Sequence, residues 1–306
     1  MADFRAFEEI RVPVRGGELA VLRWPAADPG APTAVLVHGI TANALAWAAV
    51  AEAVDGRVNL LALDLRGRAH SRDLAAPFGI DVDVQDTLAL LDHAGLERAV
   101  LAGHSLGAFV VCALAARHPD RVRSLLAVDG GVRLAPAPQT DPDEVLENTV
   151  GPAIRKLRMT FADGEAYLDF HREHPAFVGN WSAQLTAYLG RDTLRRPDGK
   201  VVSSCVAEAI RADGRQLIVD EFVRGAINTL NCPVALLYAE RGILNQPQGL
   251  YDADTLTAAG LDRSRVTVTL IPDTNHYTIV GPGAGADRVA AELVEQTARE
   301  QHVGTA

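Results

Sequence analysis

Short apolar runs separated by polar turns and amphipathic stretches dominate the first 130 residues. Residues 18–24 (ELAVLRW) alternate as a strand does. Four further runs are short and apolar: 34–37 (AVLV), 59–63 (NLLAL), 99–102 (AVLA) and 125–128 (LLAV). They end at His38-Gly39, Asp64, Gly103 and Asp129. Helical patterns fill the gaps at 44–54, 82–93 and 106–117. In the last, Ala108, Val111, Cys112 and Ala115 fall at i, i+3, i+4 and i+7, one face of a helix. Short apolar runs closed by Gly or Asp, with helices between them, predict a buried parallel sheet in a doubly wound α/β fold.

The pattern changes after Gly131. Residues 136–230 read as helix and loop, with no strand of comparable clarity. Strand character returns at 233–238 (PVALLY) and 266–271 (VTVTLI), and 284–301 reads as an amphipathic helix. The expected organisation is a core of residues 1–135 and 231–306, interrupted by a helical insertion over 136–230. Long insertions in such folds sit over the carboxyl ends of the strands, where ligands bind. This one carries Phe161, Tyr167, Phe170, Phe177, Trp181, Tyr188 and Phe222, seven of the chain's 16 aromatic residues. It therefore either has a small core of its own or lines an apolar pocket, or both.

Chemistry is concentrated at three places. The first is Gly103-His104-Ser105-Leu106-Gly107, a G-x-S-x-G between a strand and a helix. A sharp turn there lifts the Ser105 hydroxyl to the head of the sheet, and small neighbours permit the close approach. The helix opening at Leu106 aims its positive end at the site. The second is His38-Gly39-Ile40-Thr41. Acyl transfer needs two backbone donors for the developing oxyanion. The N–H groups of Leu106 and Ile40 are the candidates. His38 is expected to pack beneath this loop and bond its backbone rather than serve as the base. The third is Asn275-His276-Tyr277. A serine hydroxyl needs a base that titrates near neutrality, and histidine is the natural choice. Only His276 follows directly on the last strand, on the side where the Ser105 elbow also lies. His70, His93, His118 and His302 stand in surface-like or helix-end contexts, and His171 and His174 are expected to be solvated or to cap helices.

Serine elbow, earlier His-Gly loop, late histidine and helical insertion together resemble the α/β-hydrolase family over nearly the whole chain. Asp64-Leu65-Arg66-Gly67 with Ser71 is similar to the family's D-x-R-G-x-G-x-S loop, with Ala69 in place of the second glycine. The resemblance implies a mostly parallel eight-stranded sheet, helices on both faces and a helical cap. It also implies the chain order nucleophile, acid, histidine. The acid is where the chain departs from the usual pattern. Most members place Asp shortly after the seventh strand, where this chain has Ala239-Glu240-Arg241-Gly242. A minority, including zearalenone-type lactonases, take the acid from just after the sixth strand, and Asp129 stands there. Asp129, Glu240 and the absence of a working acid all stay open on the residues alone, with Asp129 preferred. Trp181 resembles by position a lid tryptophan of those lactonases, which implies a substrate contact; packing in a core of the insertion is the other reading and stays open on the residues alone.

A serine nucleophile disfavours dehalogenation and epoxide opening, which relatives perform with aspartate. It suits esters, lactones, thioesters, some amides, or carbon–carbon bonds beside a ketone. The expected activity is hydrolysis of an ester or lactone of an apolar small molecule. The alternatives are carbon–carbon hydrolysis and, from another class, a non-catalytic small-molecule receptor.

The remaining features narrow this little. Lys+Arg is 29 against Asp+Glu 39, a net charge of -10, which speaks against nucleic acid and anionic membranes as partners. No metal-ligand spacing and no strand followed by GxGxxG occurs, so no cofactor and no metal is expected. Charges at Asp3, Arg5, Glu8 and Glu9 break up any signal-peptide core, and no run reaches membrane-spanning length. Cys112, Cys205 and Cys232 are dispersed and odd in number, so a reducing, cytoplasmic setting is expected. A monomer or homodimer is expected.

Overall fold

The structure, a computed structural model, describes residues 5–133, 141 and 154–299. Its centre is an eight-stranded sheet in the order β1-β2-β4-β3-β5-β6-β9-β10. In chain order the strands before the insertion are β1 (Glu8–Val14), β2 (Gly17–Trp24), β3 (Thr33–Val37), β4 (Asn59–Leu63), β5 (Ala99–His104) and β6 (Val122–Val128). A two-stranded hairpin, β7 (Thr193–Arg195) and β8 (Val201–Ser203), lies within the insertion. The sheet resumes with β9 (Val234–Ala239) and β10 (Val266–Ile271). β2 runs antiparallel to both its neighbours, and β3 to β6, β9 and β10 are parallel.

The apolar runs are continuous because both faces of each central strand are covered. In β3, Val35 and Val37 point to one layer, while Ala34 and Leu36 point to the other. In β5, Leu101 faces the first layer, and Val100 and Ala102 the second. The first layer is closed by α2 (Ile80–His93) and α3 (Leu106–Arg117). The second is closed by α1 (Ala48–Val54) and the last helix, Ala284–Ala298. The chain leaves β3 for β4 on one side and returns through β5 on the other. Strand order thus reverses between β3 and β5, the kind of crevice where α/β sheets bind ligands.

Three strands go beyond the sequence reading. β1 is an edge strand whose only buried residue is Val12, with Pro13 beside it, so it lacks the apolar run that marks the inner strands. β7 and β8 have three residues each, too short to show a period.

The insertion also divides differently from the expected single cap over 136–230. Helices Gly164–Arg172 and Ala183–Arg191 share a small cluster with the hairpin, built on Phe161, Tyr167, Leu189 and Val201. Residues 207–229 instead send Ile210, Val223, Ala226 and Ile227 into the main core. They cover the first layer of the sheet, so the boundary at 230 falls too late. Of the residues preceding this part of the insertion, 134–140 and 142–153 lie outside the described residues.

Cap and core are joined by ionic and polar ties. Arg191 reaches Asp64 at 2.6 Å and Glu9 at 2.9 Å. Asn43 Nδ2 donates to the Tyr188 carbonyl at 2.9 Å. The loop after β4 is structural throughout. Asp64 accepts the Ala44 N–H at 2.8 Å, Arg66 clamps Asp86 at 2.8 and 3.0 Å, and Ser71 Oγ accepts the Ala20 N–H at 2.9 Å. Ala69, which stands where the similar loop has its second glycine, keeps a left-handed φ of 39°.

Candidate active site

Four strand ends meet above the crevice. β5 delivers Ser105, the residue joining it to α3, with φ 55° and ψ -120°. That is a strained conformation for a residue with a side chain. It survives because hydrogen bonds hold both sides of the turn: the Ser105 N–H donates to Val128 O at 3.0 Å, and Ser105 O accepts from Ala108 N at 3.0 Å. The flanking glycines are sterically required. A Cβ on Gly103 would lie 2.2 Å from Gly107 O, and one on Gly107 would lie 2.1 Å from Val37 O.

β6 delivers Asp129, fully buried and itself at φ 44°. Its backbone N–H donates to Leu237 O at 2.7 Å, and its Oδ1 accepts the Ala239 N–H at 3.1 Å. Both bonds tie it to the end of β9. Its Oδ2 stands 2.6 Å from Nδ1 of His276, which is 6% exposed. A carboxylate oxygen only accepts, so the proton lies on Nδ1 and the Nε2 lone pair is left available. The turn carrying His276 is fixed by Asn275, whose Oδ1 accepts the N–H groups of Tyr277 at 2.9 Å and Thr278 at 3.0 Å. Its Nδ2 donates to Ala176 O in the cap at 3.0 Å. Sequence reasoning gave Asn275 no role; an Asx turn directly before the histidine was the signal available.

Glu240, the other candidate acid, makes its side-chain bond elsewhere. Glu240 Oε2 accepts the Asp273 N–H at 2.8 Å and so pins the loop that leads to His276. At Gly242 the missing side chain is replaced by Gln246, whose Nε2 would lie 2.0 Å from an added Cβ.

His38 is occupied on both ring nitrogens. Nδ1–H donates to Gly39 O at 2.8 Å, and Nε2 accepts the Leu65 N–H at 2.9 Å. It joins the Ile40 loop to the loop after β4. Arg68 supports the same loop through Nε to Ile40 O at 3.1 Å and is itself held by Asp213. His104 Nε2–H donates to the His276 carbonyl at 2.8 Å, with the two rings 4.8 Å apart. Leu106 is the first residue of α3, whose opening N–H groups have no partner within the helix.

Burial pushes the His38 imidazolium down to about 4, against the pull of Asp64. Burial, followed by the nearby His276, pushes His104 down to about 3. Both rings are therefore neutral in the native state, whereas in the unfolded chain they titrate near 6.5. Below that pH the unfolded chain takes up protons that the native state refuses. Stability is complete above about 6.5 and falls as the pH drops toward the folded values, by about 1.4 kcal/mol per pH unit per histidine. Asp83 and Asp213, raised chiefly by burial, act in the opposite sense in acid. A difference measurement isolates the histidine. His104→Gln keeps a donor for the His276 carbonyl, and its unfolding free energy between about pH 6.5 and 4.5 should fall less steeply, by about one proton. Equal slopes would show that His104 titrates normally in the fold.

Ser105 and His276 line one cavity with Gly39 and Ile40, of about 90 Å³. Its remaining walls are mainly apolar, including Leu45, Leu185 and Ile243, with Phe177 and Tyr188 on the cap side. Trp181 is not among the lining residues. Its ring lies 4.8 Å under the Arg172 guanidinium and packs on the small cap cluster, so it does not line this cavity, where Phe177 and Tyr188 stand on the cap side. His171 departs from the solvated role expected of it, while His174 caps a local backbone N–H. The first is 6% exposed and the second half-buried, each with its Nδ1 in a backbone hydrogen bond inside the cap. Among the described residues no three His, Cys, Asp or Glu side chains gather to hold a metal ion, and no helix is long and apolar enough to cross a membrane.

A family model described as alpha/beta hydrolase fold matches residues 32–281. RutD of Caulobacter sp. (strain K31), named as a carbamate hydrolase, is 35% identical over 216 residues, 69% of this chain and 72% of that one. Lipase LipV of Mycobacterium tuberculosis (strain ATCC 25618 / H37Rv) is 38% identical over 107 residues, 35% of this chain and 40% of its own length. The chain likewise spans about 42% of the length of RutD from Klebsiella pneumoniae (strain 342). The crystal structure of E-2-(acetamidomethylene)succinate hydrolase superposes with a TM-score of 0.74 at 20% identity, covering 98% of this chain and 100% of that one.

Proposed function

The chain belongs to the alpha/beta hydrolase fold family, and on that footing we propose that it is a serine hydrolase. Its substrate is a carboxylic ester or lactone of an apolar small molecule, and it works through an acyl-enzyme. The observation that carries this reading is Ser105 at a strained strand-to-helix turn, in one cavity with a His276 whose Nδ1 lies 2.6 Å from buried Asp129.

In this reading His276 Nε2 takes the proton of Ser105 as Oγ attacks the substrate carbonyl carbon. The oxyanion that forms is held by the N–H groups of Ile40 and Leu106. Asp129 stabilises the imidazolium and fixes its tautomer. On collapse the carbon–oxygen bond to the leaving alkoxide breaks, and His276 returns the proton to that oxygen. A water activated by the same nitrogen then hydrolyses the acyl-enzyme and regenerates Ser105. The cap, residues 154–205, walls the cavity with Phe177 and Tyr188 and sets an apolar preference.

The test is a fluorophosphonate probe together with a panel of p-nitrophenyl esters, lactones, aryl carbamates and β-diketones. The RutD name brings carbamates into the panel. Labelling at Ser105 and highest kcat/KM among apolar esters or lactones are expected. A protein that neither labels nor turns over any member is a binding scaffold, and one that cleaves only the diketones is a carbon–carbon hydrolase.

A further inference from the structure

Beside the catalytic cavity lies a smaller pocket of about 30 Å³, room for one or two non-hydrogen groups. Thr41, Phe177, Tyr188 and Tyr277 line both, so the two adjoin. The catalytic cavity is mainly apolar. The side pocket adds Lys156, His171 and His174 to its wall.

Each of the three has a defined hydrogen-bonding sense. Lys156 is 4% exposed, and its Nζ donates to Asp192 Oδ2 at 2.6 Å and to Thr41 O at 3.2 Å. An ammonium has three N–H groups, so one is left over among the described residues. Burial alone would lower its pKa, but Asp192 holds it well above the usual value. Asp192 is also engaged by Tyr167, Ser203 and Ser204, so the ion pair is a fixed, overall neutral unit. His171 Nδ1 lies 2.9 Å from the Tyr167 carbonyl, which can only accept, so its Nε2 is a bare acceptor. Burial, with Lys156 nearby, pushes His171 down to about 4 and keeps it neutral. His174 Nδ1 accepts the Ala176 N–H at 3.2 Å, which places the ring proton of the neutral imidazole on Nε2 as a donor.

The pocket wall thus offers two donors and one acceptor, with no net charge. We propose that it is a hydroxyl-binding subsite. The substrate carries an alcohol, remote from the scissile carbonyl, that accepts from Lys156 or His174 and donates to His171. This inference rests on the serine-hydrolase reading. A ketone only accepts and would leave His171 without a partner. A carboxylate would face the His171 lone pair with no net positive charge to hold it. An alkyl group would leave all three groups unsatisfied, which buried polar atoms resist.

The experiment compares p-nitrophenyl esters of ω-hydroxyalkanoic acids of six to twelve carbons with their alkyl and ω-oxo counterparts, using the full chain. At one chain length the hydroxylated ester should exceed the alkyl ester in kcat/KM by about ten-fold, and the oxo ester should gain little. In His171→Phe and His174→Phe, checked for folding by thermal unfolding, that ratio should fall to one or below. Lack of any ratio above one, with Ser105 labelled by the fluorophosphonate, overturns the subsite. So does an equal gain from the oxo ester, or a ratio that survives in a folded His171→Phe. Failure of both labelling and turnover across all esters removes the serine-hydrolase reading, and the subsite with it.

Discussion

Replacement of Ser105 by alanine is expected to lower turnover of the best ester by about 10⁶-fold, because nucleophile and base act as a unit. The fold should survive. Ser105 stands at the N-cap of α3, yet its side chain makes no capping hydrogen bond, so the hydroxyl carries no structural contact that alanine would remove. The backbone strain at φ 55° is the same for both residues, and the turn is held by main-chain bonds to Val128 and Ala108. The thermal midpoint should therefore stay near that of the wild type while fluorophosphonate labelling disappears. His276→Ala should be comparably damaging to turnover. Wild-type turnover by a verified Ser105→Ala protein would sink the nucleophile assignment. A collapse in stability would instead mean that the hydroxyl holds the elbow together.

The sheet was legible because its inner strands are covered on both faces. The runs at 34–37, 59–63, 99–102 and 125–128 each lie within strands of the sheet. β1 escaped notice for the opposite reason, since only Val12 of its seven residues is buried. The elbow was legible because steric demands leave Gly103 and Gly107 little alternative. The cap side of the site was not. Nothing local in Lys156 announces a buried network, since its partners Asp192 and Thr41 are brought in by the tertiary fold, and the local bonds of His171 and His174 do not say that their free ring nitrogens share a pocket with it. Trp181 stayed open between a substrate contact and core packing, and the structure packs it on the small cap cluster. Position in the chain does not say whether an aromatic ring faces a cavity or a neighbouring guanidinium, and here it faces Arg172. The cap boundary slipped because helix Ala207–Val219 is amphipathic whichever core it covers.

Asp129→Asn is expected to lower kcat by about 10⁴-fold, the loss seen when a triad aspartate becomes its amide, while Glu240→Gln changes it little. The contrast follows from which atoms each carboxylate faces. Asn at 129 matches Asp in size and tolerates the left-handed φ of 44°, and its carbonyl oxygen can still accept the Ala239 N–H. The atom then facing His276 Nδ1 at 2.6 Å becomes an NH₂ donor. The imidazole must present a lone pair there, so its proton moves to Nε2, the nitrogen that has to receive the proton of Ser105. The base is lost through its tautomer, with the packing intact. KM should change far less than kcat, because no substrate contact is removed. Glu240 faces a backbone N–H, that of Asp273 at 2.8 Å, and the glutamine carbonyl can accept the same bond. If Glu240→Gln is the crippling substitution, the acid belongs to the loop after β9 and the assignment to β6 is wrong. If neither substitution slows turnover, His276 works without an acid, and the 2.6 Å contact with Asp129 only orients the turn.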